Sequence, residues 1–494
     1  MKTTTTFKTN FIYAVALLHI ILFTYAAVSK LTDFQNFQVQ LGQSPLLTIF
    51  ANILAYFIPA LEIVISIILM VPKYRITAIY ASCFLMFLFT IYIVMILNFT
   101  SYIPCSCGGV LEKLGWTEHL IFNSAFVLLS LIAILLHGGL KHTIIISIIG
   151  GSIGIASMWL LFLLSEDVMQ KENPFIRRIP QGTAAKVAQA DLRNTTMYIA
   201  GATLEKVYIT DRKAPLQVFV WDTQLKNQQH HTIQLDQENF NFKAVQMKVV
   251  YPHFYLYDGT VPVLYRGKVS DWKAKLISHN QYGFSDILFI NDSQFIIKSQ
   301  SAKNYENILA TIDHGNSLSV NINTSILEKQ IDGIFDSDGT IQYSYELNKF
   351  VYTYYYRNEF IVTDNNLNLE YRANTIDTTT KAKLKIEKIK STGETKMAAP
   401  PIIVNQLTAI TNNLLLVNSN LRGRFESKST WSNATVVDVY DLTNHSYLFS
   451  FYVYDEEGFR MKNCYATADA LYIISGHYLL KYGFGPRIKS KLTK

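Results

Sequence analysis

Residues 11 to about 165 are almost wholly apolar, and this stretch limits what the chain can fold into more than any other feature. A bilayer core about 30 Å thick is crossed by about 20 apolar residues in a helix. Five segments meet this requirement without Lys, Arg or Asp, namely residues 11–28, 46–71, 76–99, 119–136 and 143–164. The sequence therefore predicts a multi-pass helical membrane domain over residues 1–165.

The basic residues near these spans favour a cytoplasmic N-terminus, because inner loops of membrane proteins are richer in Lys and Arg than outer loops. The inner segments would carry Lys2, Lys8, Lys73, Arg75 and Lys141. The outer loops would carry only Lys30 and Lys113. Arg177 and Arg178 run against this bias, but long domains are translocated largely regardless of such charges. We predict a bacterial inner-membrane protein with a periplasmic C-terminal domain.

Four cysteines in so long a chain exclude a fold held together by disulfides. Cys105 and Cys107 nevertheless lie one residue apart in a predicted outer loop, which faces an oxidising compartment. A disulfide between such close cysteines is strained, and strained, exposed disulfides are the labile and catalytic ones. Three interpretations stay open: a redox-active dithiol, a structural disulfide, or a metal site, for which two thiolates alone are incomplete. Cys83 and Cys464 are expected to be inert buried thiols.

Two polar residues lie within or at the start of the apolar spans. Glu62 belongs to the second span, and the cost of placing a carboxyl group in hydrocarbon predicts that it faces the bundle interior. There it either makes a structural hydrogen bond between helices or takes part in proton or thiol chemistry. His119 opens the fourth span, where it either tunes a cysteine pKa and relays a proton or simply marks an interfacial helix start.

The first 140 residues carry several short motifs. These are Ser29-Lys30-Leu31 with Asp33-Phe34, Pro59-Ala60-Leu61-Glu62, the segment with Arg75 and Tyr80, Cys105-Ser106-Cys107-Gly108-Gly109, and Trp116 to Asn123. Together they resemble the MauE/DoxX-like family of redox-associated membrane proteins. The resemblance implies a four-helix bundle with the cysteine loop outside, Cys105 and Cys107 as the redox pair, and Glu62 as a polar residue inside the bundle. It also implies a link to methylamine metabolism, in which the family's namesake is thought to assist maturation of a disulfide-rich enzyme subunit. This chain departs from the family by a fifth helix and a large C-terminal domain.

The C-terminal part differs sharply in composition from the apolar spans. A polar linker over residues 166–190 is followed by short segments rich in Tyr, Phe, Val, Ile and Thr. These segments come about every 8–12 residues, with turn signals such as Asp258-Gly259 between them, which is typical of all-β domains. Groups of them recur at about 45–50 residues, the size of a four-stranded propeller blade. We therefore predict an all-β soluble domain over residues 191–490, a β-propeller whose length fits six blades.

Candidate sites in this β-rich domain are few. Asp336-Ser337-Asp338-Gly339 looks like the start of a calcium loop but lacks the later ligands, which favours a hairpin turn. His230 and His231 are neighbours on one strand and should point to opposite faces, which suits a shared metal poorly. No phosphate loop, nucleophile elbow or zinc motif occurs, so no cofactor or metal is predicted. The net charge of +7 is spread without a dense basic cluster, which argues against nucleic acid.

Two hypotheses follow for the function. In the first, the protein is a membrane-bound thiol–disulfide oxidoreductase or maturation factor, with Cys105 and Cys107 exchanging electrons with a thioredoxin-like protein or an exported client. In the second, the helices are an anchor and the propeller is a non-enzymatic scaffold that binds an envelope protein. Both place the protein in contact with the lipid bilayer.

Overall fold

The computed structural model describes residues 2–44, 46–47, 50–99, 115–163, 175–237, 239–315, 317–389 and 395–492. These residues form two compact units. The first comprises residues 1–171 and 384–401, and the second comprises residues 172–383 and 402–494.

The first unit is helical. Its helices are α1 (Lys2–Thr32), α2 (Phe34–Gln43), α3 (Ala51–Met70), α4 (Arg75–Phe99) and α5 (Trp116–Leu163). All except α2 are long and apolar enough to cross a membrane. A multi-pass membrane protein is thereby confirmed. The ten-residue α2 was not predicted, because a search for runs of about 20 apolar residues passes over a short helix with alternating glutamines.

The last helix of the bundle contains both the fourth and the fifth predicted spans. As one straight helix, its 48 residues would extend about 72 Å, more than twice the thickness of a bilayer core. The helix is broken at Gly139, whose φ of 77° lies in the left-handed region that favours glycine. On either side of Gly139 the segments 116–138 and 140–163 are each long enough for one crossing. Five crossings remain the prediction.

The segment after Gly139 packs closely on α4. An added Cβ at Gly154 would lie 3.2 Å from the Phe87 ring, and one at Gly150 would lie 3.9 Å from the Phe84 ring. Small residues at these positions let the two helix backbones approach, which drives helix association in membranes where hydrophobic burial contributes little.

The second unit is built from sheets of four antiparallel strands, one of which has a fifth, parallel strand at its edge. In chain order its strands begin with β1 (Ala184–Asp191), followed by β2 (Met197–Ala202), β3 (Lys206–Asp211), β4 (Gln217–Asp222), β5 (Gln228–Thr232), β6 (Gln234–Leu235), β7 (Gln246–Val250), β8 (His253–Asp258), β9 (Val263–Lys268), β10 (Lys273–His279), β11 (Asp286–Phe289), β12 (Gln294–Gln300), β13 (Asn307–Asp313) and β14 (Ser319–Asn323). The later strands are β15 (Gly339–Ser344), β16 (Lys349–Tyr354), β17 (Glu359–Thr363), β18 (Leu369–Asn374), β21 (Asn405–Thr411), β22 (Leu414–Ser419), β23 (Ala434–Asp441), β24 (Ser446–Tyr454), β25 (Met461–Ala466), β26 (Ala470–Ser475) and β27 (Tyr478–Phe484). Two short helices, α6 (Lys428–Asn433) and α7 (Pro486–Lys489), flank β23 and β27. Strands β19 (Ile386–Lys388) and β20 (Thr395–Met397) form a separate hairpin, which belongs to the first unit.

The sheet order defines a six-bladed β-propeller, as predicted. Five blades are formed by consecutive strands, β2 to β5, β7 to β10, β11 to β14, β15 to β18 and β21 to β24, with β6 added at the edge of the second blade. The sixth blade is formed by β25, β26 and β27 together with β1 from the start of the domain. Strand β1 pairs antiparallel with β27, from Ala184 opposite Phe484 to Asp191 opposite Tyr478. This pairing closes the ring and covers an edge that would otherwise be open to other strands.

The hydrophobic core of the propeller is divided among the contacts between neighbouring blades. Among the described residues, six clusters of buried apolar side chains are each formed by residues of two adjacent blades. The cluster of blades three and four, for example, contains Leu309 and Tyr352, both fully buried. Because strands with alternating aromatic and aliphatic residues bury both faces between blades, the strand pattern of the sequence accounts for this core.

One close contact within the fourth blade gives a test of the propeller packing. An added Cβ at Gly339 would lie 2.3 Å from the Thr353 carbonyl oxygen, so the paired strand β16 would have to shift. Gly339→Ala should therefore lower the free energy of unfolding by about 1–3 kcal/mol, as overpacking does. Gly283→Ala is the matched control, since nothing lies within 4 Å of its added Cβ. Equal chemical-denaturation curves for the two variants would contradict this packing.

Candidate functional site

Glu62 lies in the interior of the helical bundle, as its place in an apolar span predicts. It sits three residues after Pro59 in α3, and only 1% of its surface is exposed. Its main-chain carbonyl accepts a hydrogen bond from Ser66 Oγ at 2.9 Å, within the same helix. Because its side chain is buried among helices, an unpaired Glu62 carboxylate would carry a large free-energy cost of desolvation.

The partner of this carboxylate is Lys30, near the end of α1. Lys30 Nζ donates to Glu62 Oε1 at 2.5 Å, and the Lys30 side chain is 13% exposed. The ammonium group also lies 5.7 Å from the centre of the Phe37 ring of α2, within reach of a cation–π interaction. The second oxygen, Glu62 Oε2, is buried and has no hydrogen-bond partner among the described residues. The pair thus links three helices and leaves one acceptor unsatisfied.

This ion pair lines a cavity of about 290 Å³ inside the bundle. The cavity lies where α1 and α4 end and α5 begins, and its polar lining consists of Lys30, Glu62, His119 and Asn123. The rest of its wall is aliphatic, aromatic or methionine side chains. A few polar groups within a mostly apolar cavity are the usual arrangement of a small-molecule binding site.

Aromatic side chains connect His119 to the neighbouring helices. The Trp116 ring lies 6.3 Å from the His119 ring and 6.5 Å from the Tyr92 ring of α4, measured between centres. The Tyr92 hydroxyl in turn donates to Ser44 Oγ at 2.9 Å. His119 therefore lines the cavity together with the ion pair. It stands at the start of α5, the first helix after Cys105 and Cys107 in the sequence.

Sequence reasoning missed a second buried polar contact, between α1 and α5. His19 is fully buried, its Nδ1 lies 2.9 Å from the Val15 carbonyl oxygen and its Nε2 lies 3.1 Å from Ser130 Oγ. Its ring also packs edge-on against Phe126 at 5.1 Å. The sequence signal for this contact was a single histidine within an apolar run. His19 joins α1 to α5 and does not line the cavity.

The cysteine pair itself, Cys105 and Cys107, lies outside the described residues, in the segment between α4 and α5. Cys464, in the propeller, is described, and burial raises the pKa of its thiol to about 12. A thiol with that pKa stays protonated at neutral pH and reacts poorly, which fits the inert role predicted for it.

The candidate sites predicted in the propeller are occupied by structural contacts. Asp336 accepts main-chain N–H hydrogen bonds from Ile331 at 3.0 Å and Gly333 at 2.6 Å, as a turn-forming carboxylate does. The His230 ring stacks on Phe219 and the His231 ring stacks on Trp272. Among the described residues, no group of three or more His, Cys, Asp or Glu side chains could hold a metal ion.

Arg177 is a further buried charge whose role the sequence did not reveal. Its side chain is fully buried in the propeller, with Nε 2.7 Å from Asp438 Oδ1 and Nη1 2.7 Å from Glu426 Oε1. Burial opposes the charged form, but the two carboxylates raise the pKa of the guanidinium above its usual value. Arg177, interpreted from the sequence as a charge flanking the membrane, is thus neutralised within the second unit.

The fold and the cavity together define a multi-pass helical membrane protein joined to a six-bladed β-propeller. Residues 8–136 match the family model described as methylamine utilisation protein MauE. The resemblance predicted from the sequence is therefore confirmed over this segment, about a quarter of the 494 residues. By its description, that family is linked to methylamine utilisation.

Several solved structures are similar to part of the chain. A member of the DUF4221 family from Bacteroides vulgatus is 13% identical with a TM-score of 0.40, over 62% of this chain and 99% of that one. A putative exported protein from Bacteroides fragilis is 9% identical with a TM-score of 0.34, over 61% and 83%. A nidogen/laminin complex is 9% identical with a TM-score of 0.32, over 57% and 92%. No curated protein matches the chain.

Proposed function

We propose that this protein is a membrane-bound thiol–disulfide redox or maturation factor that acts through Cys105 and Cys107 on the extracytoplasmic face. The observation that carries the proposal is the MauE-family match over residues 8–136, which includes the cysteine pair between α4 and α5. Support also comes from the cavity near the end of α4 and the start of α5, whose mostly apolar wall contains Lys30, Glu62 and His119.

The proposed reaction is an exchange between the cysteine pair and a thioredoxin-like protein or an exported client. The thiolate of one cysteine attacks a partner disulfide and forms a mixed disulfide, and the second cysteine then displaces the partner. Two electrons pass to the partner, which leaves as a dithiol, and Cys105 and Cys107 end as a disulfide. The reverse sequence oxidises the partner instead. His119, at the start of α5, is the residue we assign to proton transfer with the loop.

The rest of the chain has two proposed tasks. We place the protein in a bacterial inner membrane, where the positive-inside bias favours an N-terminus in the cytoplasm and a propeller in the periplasm. There the propeller would hold or recognise the client. The family's link to methylamine utilisation makes a disulfide-rich exported enzyme subunit one class of client.

Partner trapping tests this proposal. One of the single variants, Cys105→Ser or Cys107→Ser, should keep the attacking cysteine and lack the resolving one, so that its mixed disulfide with the partner persists. We expect non-reducing electrophoresis of membranes to show this adduct, and a reductant to remove it. The double variant should give no adduct at normal abundance, and Cys83→Ser is the control that keeps wild-type behaviour. If neither single variant traps a partner and the double variant keeps biological function, the pair is not the working site and the scaffold hypothesis stands.

A further inference from the structure

The cavity of the helical bundle has the chemistry of a site for a lipid-soluble quinone. We infer that it binds the head group of a quinone, which serves as the electron acceptor of the cysteine pair. This inference rests on the proposed redox function and deepens it by naming the second substrate. It starts from the cavity volume of about 290 Å³ and from two polar groups in the cavity wall, the Lys30 ammonium and the Glu62 carboxylate. Of these, Glu62 Oε2 is buried without a hydrogen-bond partner among the described residues.

The charge of the site selects a neutral head group. Lys30 and Glu62 neutralise each other at 2.5 Å, so the cavity offers an anionic phosphate head group no net attraction. An ammonium group has three N–H donors, and Glu62 is the one described residue to which Lys30 donates. A quinone carbonyl is a neutral acceptor and would take up a further Lys30 donor.

The unsatisfied carboxylate oxygen matches the reduced form of the same molecule. Glu62 Oε2 is buried without a hydrogen-bond partner among the described residues, and a buried acceptor left unsatisfied costs about 1–3 kcal/mol. The hydroxyl group of a quinol is a donor that would satisfy it. Adjacent donor and acceptor atoms thus suit both the carbonyl and the hydroxyl state, which distinguishes a quinone from a plain hydrocarbon or lipid tail.

The remaining wall suits the ring and the first part of an apolar tail. Phe57, Phe89, Trp116 and Phe122 are aromatic side chains that line the cavity. Its volume lies near the lower end of ligand pockets, which are roughly 300–1,000 Å³, so it holds a head group and little more. The remaining tail would extend among the lipids, where its burial costs nothing.

The redox step balances with the quinone as oxidant. The two S–H bonds of Cys105 and Cys107 break and one S–S bond forms, while both quinone carbonyl oxygens become hydroxyl groups. Two electrons and two protons move from the dithiol to the quinone. The chain limits how far the cysteines can lie from this site, because Cys107 precedes Gly115 by eight positions, which an extended chain spans in at most about 29 Å.

Binding of decylubiquinone to the purified full-length protein in nanodiscs tests the inference, with quenching of tryptophan fluorescence as the readout. We expect saturable binding that weakens at least tenfold in Ala26→Phe, which fills the cavity, and in Lys30→Met/Glu62→Met, which removes both polar groups together. Ala14→Phe, exposed on the same helix, and Glu118→Gln, exposed at the start of α5, are the controls that keep wild-type affinity. Absence of saturable binding, or unchanged affinity in Ala26→Phe, would overturn the inference.

The cysteine variants separate this inference from the proposed function. Cys105→Ser/Cys107→Ser should bind decylubiquinone as the wild type does. After treatment with a reductant and its removal, the wild-type protein should reduce the bound quinone, whereas this double variant should not. A protein that traps a partner disulfide yet binds no quinone retains the proposed function and refutes the quinone site. If the wild-type protein binds quinone but never reduces it, the quinone site stands, and electron transfer from the cysteine pair to the quinone is refuted.

Discussion

Lys30→Met is expected to destabilise the helical bundle by about 3–5 kcal/mol, since it leaves the buried Glu62 without its counter-charge. Removing one member of a buried pair costs more than replacing both, because a lone charge keeps its full desolvation penalty. Lys30→Met/Glu62→Met should therefore recover most of the loss. Thermal unfolding of the full-length protein in detergent measures the effect of both variants.

The control for this prediction is Lys73→Met, at the exposed turn between α3 and α4, which should change stability by less than about 1 kcal/mol. If the Lys30 variant unfolds at the wild-type temperature, the ion pair contributes nothing to the bundle. If Lys30→Met/Glu62→Met is less stable than Lys30→Met, the lone Glu62 carboxylate is not the cause of the destabilisation, which contradicts the prediction.

Arg177→Met should have an effect of similar size on the propeller. The side chains of Asp438 and Glu426 are 1% and 6% exposed, and without the guanidinium two carboxylates would be buried side by side. We expect a loss of about 3–5 kcal/mol in the free energy of unfolding, measured by the urea dependence of near-ultraviolet circular dichroism.

The neighbouring arginine provides the comparison for that variant. Arg178 is exposed, and its guanidinium lies 5.2 Å from the Tyr447 ring, so Arg178→Met should cost no more than about 1 kcal/mol. An Arg177 variant as stable as the Arg178 variant would mean that the buried charges are not essential to the propeller.

Local sequence patterns were enough to predict the broad architecture. Runs of about 20 apolar residues identified the membrane helices, and the recurrence of strand groups gave six blades. The ring closure between Ala184 and Phe484 joins residues about 300 positions apart, which no local pattern contains. The helix α2 also escaped prediction, because it is short and its apolar positions alternate with glutamine.

The candidate site was only half predictable for a similar physical reason. An isolated carboxyl group in an apolar span indicates a partner inside the bundle, so the interior position of Glu62 followed from solvation cost alone. The identity of that partner did not, because Lys30 was interpreted only as an outer-loop charge. Likewise Arg177 was interpreted as a membrane-flanking charge, and only the fold brings Asp438 to it.

The redox state of Cys105 and Cys107 in intact cells tests the central claim most directly. Acid trapping followed by a mass-tagged maleimide reports the fraction oxidised, and titration against glutathione gives the reduction potential. We predict a mixed population with a potential of roughly −120 to −270 mV, the range of catalytic dithiols. A pair that is always oxidised, with a potential below about −300 mV, would be a structural disulfide and would contradict the redox function.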